Sequence, residues 1–207
     1  MSPVRRRQTR RCDAAHLYHS DRLELGPPHR RHANAFMSSI DEEVRHWQGY
    51  TDAEVDTWHT AFQLVTRTPP PPGCPRWLIA TGRGDGGFTA SYKLSSVSAD
   101  GADAELGWWL APEARGRGLG RESLAMVLDY VHDHLGVAAV WMGTGEANAR
   151  AIAQIEAVGA AFDGYRPHEL PNGSRVSSRW YVHARWPGGP PASSAGTRDG
   201  GGRREPG

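Results

Sequence analysis

The sequence predicts a mixed α/β fold built on one sheet. Two observations carry that expectation: short apolar segments with period-two spacing come first in series, and two helix–strand alternations follow them. A third sets the limits of the folded part. Arg5-Arg6-Arg7 and Arg10-Arg11 mark a basic arm over residues 1–20, and Pro187-Gly188-Gly189-Pro190-Pro191 opens a Gly/Pro/Ser-rich tail over 187–207. Neither stretch has enough apolar surface to pack, so both are expected to be disordered around one domain at 21–186.

The elements follow in order. Arg22 to Leu25 alternates and stops at Pro27-Pro28, a short strand. A helix is expected from His29 to Ile40. A second starts at Thr51 or Asp52, which offer caps, with Val55, Trp58, His59, Phe62 and Val65 at helical spacing, and ends at Pro69–Pro72. Trp77–Ala80 and Phe88–Tyr92 read as a hairpin across the Gly82–Gly87 turn. Glu105–Leu110 is a strand, Gly118–Leu135 a helix, Ala138–Met142 a strand and Asn148–Val158 a helix. Strands at Ala161–Tyr165 and Val176–Ala184 complete the chain, and there is no internal repeat.

Charge excludes some functions. The arm carries +4 and the tail +1, while the whole chain is +1, so the body over 21–186 carries −4. A nucleic-acid-binding core should be basic, so nucleic acid is not the expected partner; the arm touching RNA is the residual alternative. Cys12 and Cys74 are isolated, and His132 and His134, two residues apart on a helix, face different ways as surface residues. No metal site is expected. Without an apolar run of spanning length or a signal peptide, the chain reads as cytoplasmic, with no membrane partner.

The segment that carries chemistry is Arg115-Gly116-Arg117-Gly118-Leu119-Gly120-Arg121, between a strand and a long helix. Glycines there admit unusual backbone angles and close approach by a ligand. The helix start supplies N–H donors and a positive dipole end, and three arginines surround it, so a phosphate or pyrophosphate is the expected occupant, with a bare glycine-rich turn before a helix as the alternative. A dinucleotide fingerprint fails because Arg121 stands where its third glycine belongs. A Walker loop fails for want of Gly-Lys-Ser/Thr.

Ala104 to Gly120 closely resembles the central signature of the GNAT N-acetyltransferase superfamily, in particular the Rim-type ribosomal-protein acetyltransferase branch. Arg115, Gly118 and Gly120 match its pyrophosphate loop. Glu146 to Ala160 resembles its second block, an Asn-initiated helix ending in an apolar residue and Gly, and Arg22 to Pro27 resembles the first strand of the branch. The resemblance spans roughly residues 21–185. It implies a mostly antiparallel twisted sheet with splayed central strands and flanking helices.

It also implies roles. Backbone N–H groups of Arg117 to Arg121 would hold the pyrophosphate of acetyl-CoA, within a loop running from Arg115 and Gly116. Trp109 and Leu110 would pair with the pantetheine arm through main-chain hydrogen bonds, and Asn148 would contact that arm besides serving as a helix cap. The Leu110 N–H would donate to the developing oxyanion. Glu105 is the candidate general base, with a structural or substrate-orienting carboxylate as the alternative. The family's frequent acid, a Tyr after the Asn, is replaced by Ile155; Tyr165 or a water would substitute.

The acceptor would be an amine, on a small molecule or at a protein N-terminus. The clusters Asp41-Glu42-Glu43 and Asp52, Glu54, Asp56 could attract a cation, or be a solvated face and a complement to the helix dipole. A second copy of the chain, in a homodimer, is a further candidate partner. The alternative function is a catalytically silent domain that binds acyl-CoA as a sensor or assembly module.

Overall fold

Eight strands form one sheet, in the order β1-β2-β3-β4-β5-β6-β8-β7. They are β1 (Tyr18–His19), β2 (Leu23–Gly26), β3 (Trp77–Gly82), β4 (Phe88–Val97), β5 (Asp103–Leu110), β6 (Ala139–Gly145), β7 (Ala161–Glu169) and β8 (Arg175–Ala184). Every neighbouring pair is antiparallel except β5 and β6. The computed structural model describes residues 18–67, 76–98 and 101–185. Cys12, Cys74, the prolines at 69–72, most of the basic arm and the C-terminal tail lie outside the described residues. Tyr18 and His19, placed in the arm by sequence, instead pair with Leu25 and Glu24.

The helices are α1 (Ala33–Ser38), α2 (Glu42–Gln48), α3 (Asp52–Arg67), α4 (Leu119–Asp133) and α5 (Ala149–Ala157). The single helix expected from His29 to Ile40 is a 3-10 turn at Arg30–His32 running into α1, and α2 follows as a separate helix. Local side chains make the breaks. The Ser39 hydroxyl donates back to the Phe36 carbonyl at 2.6 Å, and the Asp41 carboxylate accepts the Val44 N–H at 3.0 Å, restarting the helix as an N-cap.

Two cores cover the two faces of the sheet. On one, Leu119, Leu124, Val127 and Val131 of α4 and Ile155 of α5 pack on Leu78, Tyr92, Leu106, Leu110 and Met142. On the other, α1 and α3 bring Phe36, Trp58 and Phe62 against Trp77, Ile79 and Trp109. Phe36 and Phe62 stack with centroids 4.3 Å apart, and Trp58 meets Trp109 edge-on at 5.4 Å. The α3 stripe is Val55, Trp58, Phe62 and Val65, as its 3.6-residue period requires, whereas His59 is exposed and bonds Gln63.

His132 departs from the surface position expected for it. It is buried, with Nδ1 2.7 Å from the Val137 carbonyl and Nε2 2.9 Å from His183 Nδ1. Burial pushes both of these imidazoles below their ordinary value; burial, Arg31 and His29 push His32 down to about 4 from 6.5. The unfolded chain therefore takes up protons before the folded one as the medium is acidified. Stability contributed by these groups is present above about pH 6.5 and is lost as pH falls toward the folded values. Thermal unfolding is expected to show a midpoint that drops between about pH 7 and about pH 5; a flat or rising midpoint contradicts this.

Candidate active site

β5 and β6 pair over only three residues, Asp103–Glu105 with Ala139–Trp141. Beyond that β6 stays in the β8 ladder and β5 stays in the β4 ladder, so the two diverge. The wedge between them opens a cleft of about 750 Å³, lined by Glu105, Trp108, Leu110, Gly118, Asn148 and Gln48 among others.

Register decides what the open edge of β5 offers. Ala111 N–H donates to the Thr89 carbonyl of β4 at 2.9 Å. Main-chain direction alternates along a strand, so the peptide groups of Trp109 and Gly107 also face β4, opposite Ser91 and Lys93. Those of Trp108 and Leu110 face the cleft. This corrects the expectation for Trp109: its main chain belongs to the β4 ladder, its ring lies in the aromatic core, and its Nε1 donates to Ser39 Oγ at 2.9 Å. Trp108 takes the edge position instead, with its indole donating to Gln154 Oε1 at 3.3 Å. Both edge carbonyls have partners within the chain. Gln48 Nε2 donates to Trp108 at 3.3 Å and Arg115 Nη2 to Leu110 at 3.0 Å.

The loop ahead of α4 is shaped by two left-handed glycines, Gly116 (φ 71°) and Gly118 (φ 75°). A Cβ at Gly116 would meet nothing within 4 Å, and at Gly118 only Arg22 Nη2 at 3.7 Å, so the loop surface stands open. Gly120 differs: a Cβ there would lie 2.7 Å from Leu110 Cδ2 and 2.9 Å from Gln154, so its missing side chain lets α4 start against the tip of β5. Among the described residues no side chain caps α4. Its first intrahelical bond runs from Glu122 N–H to the Gly118 carbonyl at 3.3 Å, leaving the N–H groups of Leu119, Gly120 and Arg121 without an acceptor in the helix. An anion fits this cradle. Arg22 braces the loop by donating to the Arg117 carbonyl at 3.2 Å and pairing with Glu122. Arg117 donates to the Glu113 carbonyl, and exposed Arg121 lines the cleft.

Arg115 is spent elsewhere. Its guanidinium grips Asp41 through two bonds of 2.7 and 2.9 Å, Glu43 at 2.9 Å and the Leu110 carbonyl. The hydrogen bond from Arg115 holds the Asp41 carboxyl below its usual range. Glu43 also takes Arg150 Nη1 at 2.9 Å, so α2, the loop after β5 and the start of α5 are tied together. Two of the three carboxylates of the first acidic cluster, Asp41 and Glu43, are thus paired with the chain's own arginines, and Asp52 of the second pairs with Arg45 at 2.7 Å.

Asn148 caps α5, its Oδ1 accepting Ala151 N–H at 3.1 Å, and it lines the cleft. Among the described residues its amide NH₂ has no hydrogen-bond acceptor. Glu105 lies on the cleft floor beside Gly107, on the α1–α3 side of the sheet with Trp141. Ile155 is wholly buried in the core, and Tyr165, an exposed residue of β7 packed on Phe162, does not line the cleft. Neither position puts an acid in the cleft. Sequence reasoning missed Gln48 and Arg150, both in the cleft lining; their partners, Trp108 and Glu43, lie 60 and 107 residues away, and no local signal announces them.

Comparison with known proteins adds to this geometry. The family model described as Acetyltransferase (GNAT) domain matches residues 22–161. The ribosomal-protein-S5-alanine acetyltransferase of Vibrio fischeri superposes with a TM-score of 0.67 at 11% identity, covering 81% of this chain and 96% of that one. A GNAT-family acetyltransferase from Bacillus anthracis gives 0.65 at 13% identity, with 82% and 98% covered. The ribosomal L7/L12 alpha-N-protein acetyltransferase RimL, solved in complex with coenzyme A, gives 0.64 at 13%, also with 82% and 98% covered. At these identities the likeness is one of fold. No curated protein matches by sequence.

Proposed function

Because the chain belongs to the GNAT acetyltransferase family, we propose that it transfers an acetyl group from acetyl-CoA to a primary amine, on a small molecule or a protein N-terminus, by direct attack in a ternary complex. The observation that carries this reading is the pairing of an uncapped α4 start with the open edge of β5, where the main chain of Leu110 turns into the cleft.

Acetyl-CoA supplies the activated thioester carbonyl. The N–H groups of Leu119, Gly120 and Arg121 hold the pyrophosphate at the positive end of α4, with Arg117 and Arg121 adding charge. Trp108 and Leu110 offer N–H donors along the pantetheine arm, and the Asn148 amide steadies it from α5. Leu110 N–H donates to the oxygen on which negative charge develops, and Arg115, locked by Asp41 on the Leu110 carbonyl, holds the next peptide unit, Leu110–Ala111, in place beside it. Glu105 accepts the amine proton, directly or through water. Proton return to the thiolate uses solvent, since the buried Ile155 fills the position of the frequent tyrosine. Two cysteines are the only thiols in the chain, and neither falls in the matched loop, in keeping with direct attack rather than an acyl-enzyme.

A titration of acetyl-CoA into isotopically labelled protein tests the site. Amide signals of Leu110, Leu119, Gly120, Arg121 and the Asn148 side chain are expected to shift together. Shifts confined to residues outside the cleft would contradict the assignment.

A further inference from the structure

A primary amine attacks a carbonyl productively only when its lone pair is aimed, and holding its two N–H bonds is what aims it. On the acetyl-transfer reading, on which this inference rests, Glu105 accounts for one of those bonds. Gln48 supplies a site for the other. It closes α2, is half-buried, and lines the cleft together with Glu105 and Gly107. Its Nε2 donates to the Trp108 carbonyl at 3.3 Å. That bond settles which end of the carboxamide faces β5, because only the nitrogen end can donate. It is the one hydrogen bond of this side chain among the described residues, none of which donates to Oε1.

The surroundings limit what Oε1 can serve. The nearby carboxylates, Asp41 at the N-cap of α2 and Glu43 within it, are occupied by Arg115 and Arg150, and the third member of the cluster, Glu42, is exposed and does not line the cleft, so α2 turns no unpaired carboxylate into the cleft to hold an ammonium group. A neutral carbonyl anchored on the cofactor strand suits a neutral amine. We infer that Gln48 is a specificity-determining residue for the acceptor, its Oε1 accepting one N–H of the incoming amine while Glu105 takes the other. A primary amine satisfies both groups. An N-methyl amine has a single N–H and leaves one of them without a partner, which is where a polar site discriminates most strongly.

The test compares an acceptor primary amine with its N-methyl derivative. Wild type should favour the primary amine in kcat/KM by about tenfold or more, the scale of one lost hydrogen bond to a half-buried group. Gln48→Met keeps the length and removes the amide; its ratio should fall toward one, mostly through loss of rate on the primary amine. Gln48→Glu retains an acceptor oxygen, although its carboxylate can no longer donate to the Trp108 carbonyl, and should keep part of the preference, a check that stands should the Met variant fold poorly. Acetyl-CoA affinity by calorimetry should stay within about twofold in both, because Oε1 is turned away from the cofactor strand. An unchanged ratio in Gln48→Met overturns the inference, as does a fall in acetyl-CoA affinity that accounts for the lost rate. Either result leaves acetyl transfer standing. A wild type that turns over no amine at all removes both.

Discussion

Gly118→Asp is expected to lower the affinity for acetyl-CoA by about 100-fold in a calorimetric titration. The loop has room for the new side chain, since a Cβ at Gly118 approaches only Arg22 Nη2, at 3.7 Å. The loss is therefore not a packing defect. It arises because a carboxylate is placed over the N–H groups of Leu119, Gly120 and Arg121, where the pyrophosphate is proposed to lie. Arg22 cannot fully neutralise it, being already paired with Glu122. The left-handed angle at 118 adds about 1 kcal/mol of strain for a residue with a Cβ, which weakens the fold more than it weakens binding. Gly118→Asn separates the two effects. It has the same shape without the charge and should bind within about tenfold of wild type. Equal losses in both variants would trace the effect to the backbone; equal binding by Gly118→Asp and wild type would overturn the cofactor site.

Glu105→Gln is expected to reduce kcat by about 100-fold, the lower end of what a positioned general base contributes. The substitution is nearly isosteric on a strand held from both sides over Asp103–Glu105, so the sheet should be undisturbed. Acetyl-CoA affinity should not change, because Glu105 lies on the α1–α3 side of β5 and the α4 loop lies on the other. A variant that loses cofactor binding together with rate would make Glu105 structural. One that keeps its rate would leave the amine to be deprotonated by solvent alone.

The parts of this fold legible in the sequence are those that local pattern controls. The β5 strand, the glycine loop, α4, β6 and α5 follow one another with the expected types, and ends differing by a few residues, because alternation, two glycines and an Asn cap are all local signals. The break between α1 and α2 was less visible: Ser39 and Asp41 can sit inside or outside a helix, and only their bonds to Phe36 and Val44 decide. Contacts between distant segments were not legible. Arg115 looked like a phosphate ligand from its neighbours, whereas partners at 41 and 43 in sequence claim its guanidinium. Trp109 looked like an edge residue until the bond from Ala111 to Thr89 set the direction of every peptide in β5. His132 read as exposed because its partner, His183, is on the last strand.

The most direct test of the account is thiol release from acetyl-CoA, followed with wild type and Glu105→Gln against a panel of primary amines and short peptides with free N-termini. The account predicts release that depends on at least one primary amine, an N-acetylated product in equal amount, and near-complete loss of both in the Glu105 variant. Tight acetyl-CoA binding with no amine-dependent thiol release from wild type would contradict it.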